Sequence, residues 1–169
     1  MNNAFPQFIK RINNRFFFRQ FLFVKLPSAF FAGINIEAID ETKTTISIKQ
    51  KWFNKNPFHS IYFAVLTMAG EMSTGVLCLG NIYKRKPAIS MLVIEQRGVF
   101  HKKATGKILF TCEDGIKITA AVEDAIKNNN ATTVTCYSKG INSNNETVAE
   151  FWVTWSFKQR NGKAKPLAA

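Results

Sequence analysis

Apolar residues recur along this chain with two different periods. Between residues 5 and 23, Phe5, Phe8, Ile9, Ile12 and Phe16 fall at helical spacing, with Lys10, Arg11, Asn14 and Arg15 on the other side. Pro6 suits a first turn, and the Pro27-Ser28 step predicts the end of this amphipathic helix. From Gly33 the period changes to two. Ile34, Ile36 and Ala38 alternate with polar neighbours, and after a turn near Glu41 to Lys43 so do Ile46, Ile48, Gln50 and Trp52, which predicts a hairpin. Asn54 to Ser60 reads as a loop, punctuated by Asn56 and Pro57, and an apolar helix is predicted from about Ile61 to Leu79.

Beyond that helix the pattern returns to strands. Ile89 to Phe100 and Lys107 to Glu113 are β-rich runs joined through Ala104, Thr105 and Gly106, and they read as a second hairpin. A short helix is predicted over Thr119 to Asn128, and a strand begins at Thr132 to Ser138. The last strand has the clearest pattern, since Ala149, Phe151, Val153, Trp155 and Phe157 all fall on one face in strict alternation. The order predicts an α+β domain, one antiparallel sheet of about six strands curled around one long helix. Such a sheet leaves part of the helix uncovered unless the N-terminal helix or a second subunit closes over it.

The 169 residues, 46% apolar and 13% aromatic, suit one domain spanning 1–169, with a helical extension at 1–28 and a flexible tail at 161–169. Cys78, Cys112 and Cys136 are odd in number and widely spaced, so neither a disulfide framework nor a metal site is expected, and a reducing, cytoplasmic setting is. Lys10, Arg11, Arg15 and Arg19 precede apolar residues in the manner of a secretory signal, but Arg19 and Lys25 interrupt the runs and no small-residue cleavage site follows. The run from Ser60 to Tyr83 is long enough to cross a bilayer. Its glycines, hydroxyls and carboxylate instead predict a buried core helix and no membrane span.

The net charge is +12, and the positive charge is unevenly placed. No acidic residue precedes Glu37, and between Tyr83 and Lys107 only Glu95 faces Lys84, Arg85, Lys86, Arg97, Lys102, Lys103 and Lys107. Such a surface favours polyanions, whether nucleic acid, anionic lipid or a phosphorylated small molecule such as coenzyme A, and charge alone does not choose among them. Glu71 carries more information. It is the only charged residue between Ser60 and Tyr83, and a carboxylate kept in such a helix is either paired with a donor or placed at a cleft that uses it.

The segment Asn56 to Glu71, NPFHSIYFAVLTMAGE, resembles the signature of hot-dog acyl-CoA thioesterases of the phenylacetate-degradation type. That signature runs Asn, five residues, His-Gly-Gly, six residues, then Asp or Glu. The match places Asn56 on the family's asparagine, Tyr62, Phe63 and Ala64 on its His-Gly-Gly, and Glu71 on its carboxylate, without gaps. The segment Val99 to Glu113, VFHKKATGKILFTCE, is similar to the family's next hairpin. The resemblance covers about two thirds of the chain in element order, and it looks most like an uncharacterised branch of that superfamily.

The resemblance implies a hot-dog fold, a homodimer that pairs further into a tetramer in some arrangements, and an acyl-CoA or acyl-carrier thioester as substrate without another cofactor. Carried over residue by residue, Glu71 is base or nucleophile, Asn56 holds thioester or water, and the amide of Ala64, with that of Phe63, donates to the oxyanion. Ser90 corresponds to a polar residue that positions water in some members, and Tyr62, Lys102, Lys103 and Lys107 fall where substrate and coenzyme A phosphates would bind. Phe63 and Ala64 in place of two glycines add side chains where the acyl group approaches the backbone, which implies a narrower or relocated site. His59 and His101 are given no role. Two further readings stay open: a non-catalytic protein that binds an acyl chain or lipid-like ligand, and a basic protein that binds nucleic acid or a membrane surface. The second is disfavoured because its aromatics fall at core periodicity.

Overall fold

A computed structural model describes residues 2–160, and the tail expected at 161–169 lies outside them. Three short helices open the chain, α1 (Phe5–Ile12), α2 (Arg15–Lys25) and α3 (Pro27–Ala32). The hairpin β1 (Asn35–Ile39) and β2 (Thr44–Lys49) follows, then a 3-10 turn at Trp52–Asn54 and the central helix α4 (Phe63–Ile82). The remaining elements are β3 (Ile89–Phe100), β4 (Lys107–Cys112), α5 (Gly115–Asn128), β5 (Thr132–Ile141) and β6 (Thr147–Gln159).

All six strands form one curved antiparallel sheet in the order β1-β2-β4-β5-β6-β3. Helix α4 packs against β2, β4, β5, β6 and β3, so the expected sheet around a central helix is what forms. One continuous apolar core runs from Phe5 to Phe157. The strict alternation in β6 delivers its whole inner face to that core, with Ala149, Phe151, Val153, Trp155 and Phe157 all buried.

The buried polar residues of α4, Ser73, Thr74 and Asn81, are each hydrogen-bonded. The Ser73 hydroxyl hydrogen-bonds the Gly70 carbonyl and the Ser138 hydroxyl, each at 2.7 Å. Thr74 accepts the Trp155 indole N–H at 2.9 Å and donates to the Glu71 carbonyl at 2.8 Å. Asn81 accepts from the Thr119 hydroxyl at 2.8 Å. The helix's C-terminal end is sealed by the N-terminal segment. The Asn2 side-chain amide donates to the carbonyls of Gly80 and Tyr83, both at 2.8 Å, satisfying acceptors that the last turn leaves open. The Phe5 ring lies over Gly80, where a β-carbon would come within 2.5 Å of it.

Four expectations are corrected. The N-terminal segment is not one helix: Asn14, expected on its polar side, caps α2 by accepting from the N–H groups of Phe16 and Phe17. A helix does end before Pro27, at Lys25, but another resumes at once, with Pro27 in the first turn of α3, where its missing N–H removes nothing. A bulge between Ile36 and Ala38 shifts the phase of β1, so Ile39 rather than Ala38 turns inward. Trp52 leaves the β2 alternation for the 3-10 turn and is 81% exposed.

The larger correction concerns β3 and β4. They do not pair as a hairpin: β3 pairs only with β6 at one edge of the sheet, while β4 lies between β2 and β5. The segment through Ala104 and Gly106 is thus a crossover, held by the Ile61 N–H donating to the Ala104 carbonyl and the Gln50 N–H to that of Gly106.

Candidate functional site

The N-terminal end of α4 contrasts with its sealed C-terminal end. The cap residue Tyr62 makes no side-chain capping bond, and the N–H groups of Phe63 and Ala64 meet no acceptor among the described residues. Two free amides at a helix start form a partially positive site suited to an anion or oxyanion. The loop before the helix holds them in place. Asn56 Oδ1 accepts from the N–H groups of Phe58 and Ser60, at 3.0 and 3.1 Å, and from the Ser60 hydroxyl at 3.2 Å. The Tyr62 N–H donates to the Asn54 carbonyl at 2.8 Å.

A cavity of about 400 Å³ opens beside this helix start. Its walls are Phe58, Ile61, Leu66 and Phe100, with Tyr62, Phe63, Asn56, Lys102 and Lys103 at its margin. Phe63 is 55% exposed, and its ring stands edge-on to those of Tyr62 and Phe100, at 4.8 and 6.1 Å. The side chain that replaces a glycine of the resembled signature therefore lines the cavity.

Glu71 lies seven residues, about 10 Å, further along the same helix. Its carboxylate is mostly buried, and no donor among the described residues reaches it. Burial without a compensating partner pushes its pKa up to about 7. A carboxyl poised there changes charge near neutral pH, as a general base requires. Two helical turns along one protomer thus lie between this residue and the Phe63 and Ala64 amides.

The other expected residues are dispersed. Ser90 donates to the Lys158 carbonyl at 3.0 Å, whereas the turns flanking Glu71 pack at the level of Phe151 and Trp155, which pair with Gly98 and Val93 of β3. Ser90 is thus about 10 Å further along the strand and is not brought to Glu71. Lys102 is ion-paired with Glu146, and Lys107 turns to the opposite part of the sheet, 2.9 Å from Glu37. Lys103 is exposed at the cavity rim. Phe58 and Phe100 were not singled out from the sequence. An aromatic beside Asn56-Pro57 and another ending a strand were the available signals. His59 is exposed in the loop, and His101 bonds Glu150 at 2.6 Å.

A larger cavity, about 610 Å³, lies between the N-terminal helices and β1. Its one carboxylate, Glu37, is held below its ordinary pKa by hydrogen bonds from Lys107 and Ser47, so it is a structural ion rather than a base. Among the described residues no cluster of three His, Cys, Asp or Glu side chains is placed to hold a metal.

No protein-family model and no curated protein matches the sequence. Solved structures do match. A Pseudomonas aeruginosa protein of unknown function, named a probable thioesterase, superposes with a TM-score of 0.72 at 17% identity over 85% of this chain and 95% of that one. A Haemophilus influenzae thioesterase gives 0.61 at 12% identity, over 88% and 90% of the two chains. The Escherichia coli PaaI protein of the phenylacetic acid degradation operon gives 0.59 at 13%, over 85% and 91%. These neighbours are thioesterase-like proteins. The chain has the hot-dog fold. At such identities the likeness is one of architecture. Within the hot-dog fold α4 is the wrapped helix, so the free helix start and Glu71 both belong to its central element.

Proposed function

We propose that this protein is an acyl thioesterase acting in the cytoplasm as a homodimer, with Glu71 as the base and the Phe63 and Ala64 amides as the oxyanion site. The observation that carries the reading is Glu71 itself, a mostly buried carboxylate with no donor among the described residues and a pKa near 7, on the helix whose start offers two free N–H groups. Glu71 takes a proton from water, and the water oxygen forms a bond to the thioester carbon. The carbonyl electrons move onto an oxyanion held by the two amides. Their return breaks the carbon–sulfur bond, and the thiolate leaves with the proton from Glu71, giving a carboxylic acid and a thiol.

The distance of about 10 Å between Ala64 and Glu71 within one helix favours a site completed by a second copy. The sheet offers a place for that copy. Strand β3 is a twelve-residue edge with unpaired backbone groups on one side, exposing Leu92 at 66% and Ile94 at 53%. In this arrangement the substrate is an acyl-CoA or acyl-carrier thioester, its acyl group in the phenylalanine-walled cavity and its phosphates near Lys102 and Lys103. No further cofactor takes part.

The test is hydrolysis of short, long and aromatic acyl-CoA thioesters by wild type and Glu71→Gln, followed as released thiol. Turnover in the wild type with a loss of at least about 100-fold in the variant is expected. A folded dimer with no turnover on the panel overturns the catalytic assignment. A second reading, acyl-chain binding without hydrolysis, is favoured by one observation, the Phe63 ring among the residues that line the cavity. It predicts copurified acyl ligand that persists in Glu71→Gln.

A further inference from the structure

Helix α2 is apolar on two opposite sides, and only one of them is used by the fold. Phe18 and Leu22 are buried against the domain. Phe16 and Phe23, and likewise Phe17 and Val24, are two turns apart and make a second apolar face, exposed between 50% and 72%. The patch continues onto the next elements. The Phe23 ring meets Phe30 and Phe31, and Phe31 meets Phe53 at 5.9 Å, beside the exposed Trp52. Monomeric surfaces rarely gather apolar side chains in this way without a use for them.

The rim of this patch is positively charged and has no nearby acids in sequence. Arg15, Arg19 and Lys25 lie on α2, Lys51 and Lys55 flank the 3-10 turn, and no acidic residue occurs before Glu37 or between Thr42 and Gly70. Arg19 is stacked 4.0 Å over the Phe30 ring. The Lys51 ammonium is disfavoured by burial and by the Arg19 charge, and the one carboxylate of the cavity that Arg15 and Arg19 also line, Glu37, is already paired with Lys107. Exposed phenylalanine and tryptophan framed by arginine and lysine is the surface that enters a lipid headgroup layer, the rings reaching the acyl boundary and the cations meeting phosphates.

We infer that the α2–α3 face with the Trp52–Asn54 turn docks this protein on an anionic lipid surface. A second copy fits this face poorly, because a two-fold contact would bring the same cations, Arg19, Lys51 and Lys55, towards their own copies. The face is separate from Glu71 and from the β3 edge, so the inference stands whether or not the protein is a thioesterase.

The experiment is vesicle flotation of the full chain with phosphatidylcholine alone and with phosphatidylglycerol added, beside Phe16→Ser/Phe23→Ser. Binding to the anionic vesicles at least about tenfold above the neutral ones, reduced at least about tenfold in the variant, is expected. Both substituted side chains are exposed, so the variant should keep the wild-type melting profile. As an independent reading of the wild-type fold, Trp52 fluorescence should shift to the blue on anionic vesicles, and Trp52→Phe should remove that shift. Wild type that stays off the vesicles, or binds them undiminished by the double substitution with no Trp52 shift, overturns the inference. So does binding to a DNA duplex but not to vesicles, or a variant whose only change is a smaller oligomer.

Discussion

Gly75 lies one helical turn after Glu71, and a β-carbon on it would stand 3.1 Å from the Glu71 oxygen Oε1 and 3.1 Å from the Trp155 indole. The missing side chain leaves room for the carboxylate beside the ring. In Gly75→Ala the added methyl crowds both neighbours and removes more water from the carboxyl, so the midpoint of the pH–rate profile should rise above 7 and turnover should fall. Alanine's helix preference, about 0.8–1 kcal/mol over glycine, offsets the crowding, so stability should change by less than about 1 kcal/mol. An unchanged pH profile would show that the Glu71 carboxyl does not occupy this space.

Glu71 also links stability to pH. Its pKa rises from 4.5 to about 7 on folding, so between those values the native state binds more protons than the unfolded chain. Stability from this group is greatest below pH 4.5 and is lost as pH rises to about 7, by up to roughly 3 kcal/mol. Urea unfolding across that range should show this decline against the background of the other carboxylates, and Glu71→Gln should flatten it. Catalysis follows the opposite course, since only the ionised carboxyl accepts a proton. Activity should increase through the range in which stability falls. Equal pH slopes for wild type and variant would remove Glu71 as the source.

These properties were legible to different degrees. Glu71 stood out as the one charge in an apolar stretch, and β6 as strict alternation, because both signals are local. The β3–β4 hairpin was misread because turn residues between two strands look the same whether the strands pair or diverge. What separates them is non-local: β6 has a long open edge that β3 pairs with at eleven positions, from Ile89 to Phe100. The N-terminal helix was misread because Asn14 and Pro27 have meanings at helix starts that composition does not reveal. The cavity depends on Phe100 meeting Phe63 across the fold, which no spacing within the chain encodes.

Asn54 was passed over in the sequence and is central to the structure. Its side-chain amide donates to the carbonyls of Ala32 and Lys49, both at 3.0 Å, while its Oδ1 accepts the Lys51 N–H at 2.9 Å. Its own carbonyl receives the Tyr62 N–H, so one buried residue ties α3, the end of β2 and the start of α4 together. Asn54→Ala should destabilise the protein by about 1–3 kcal/mol, since it leaves buried backbone groups unpaired. Asn54→Asp should be similarly damaging, because a carboxylate cannot donate to two carbonyls. Melting temperatures check both, and wild-type stability in either variant would contradict the bonding described.

The β3 edge gives the last prediction. If the base and the oxyanion donors come from different copies, separating the copies should abolish turnover while leaving each fold intact. Leu92→Asp/Ile94→Asp places two carboxylates on side chains that are 66% and 53% exposed, so the protomer's core is untouched. Facing a partner's identical strand, the same carboxylates meet like charge and lose water. Light scattering should find twice the 19.1 kDa chain mass for wild type and the single mass for the variant, with circular dichroism unchanged and thioester hydrolysis lost. A variant that becomes monomeric and stays active would mean that one copy holds a complete site, and the distance between Ala64 and Glu71 would then require a different oxyanion donor.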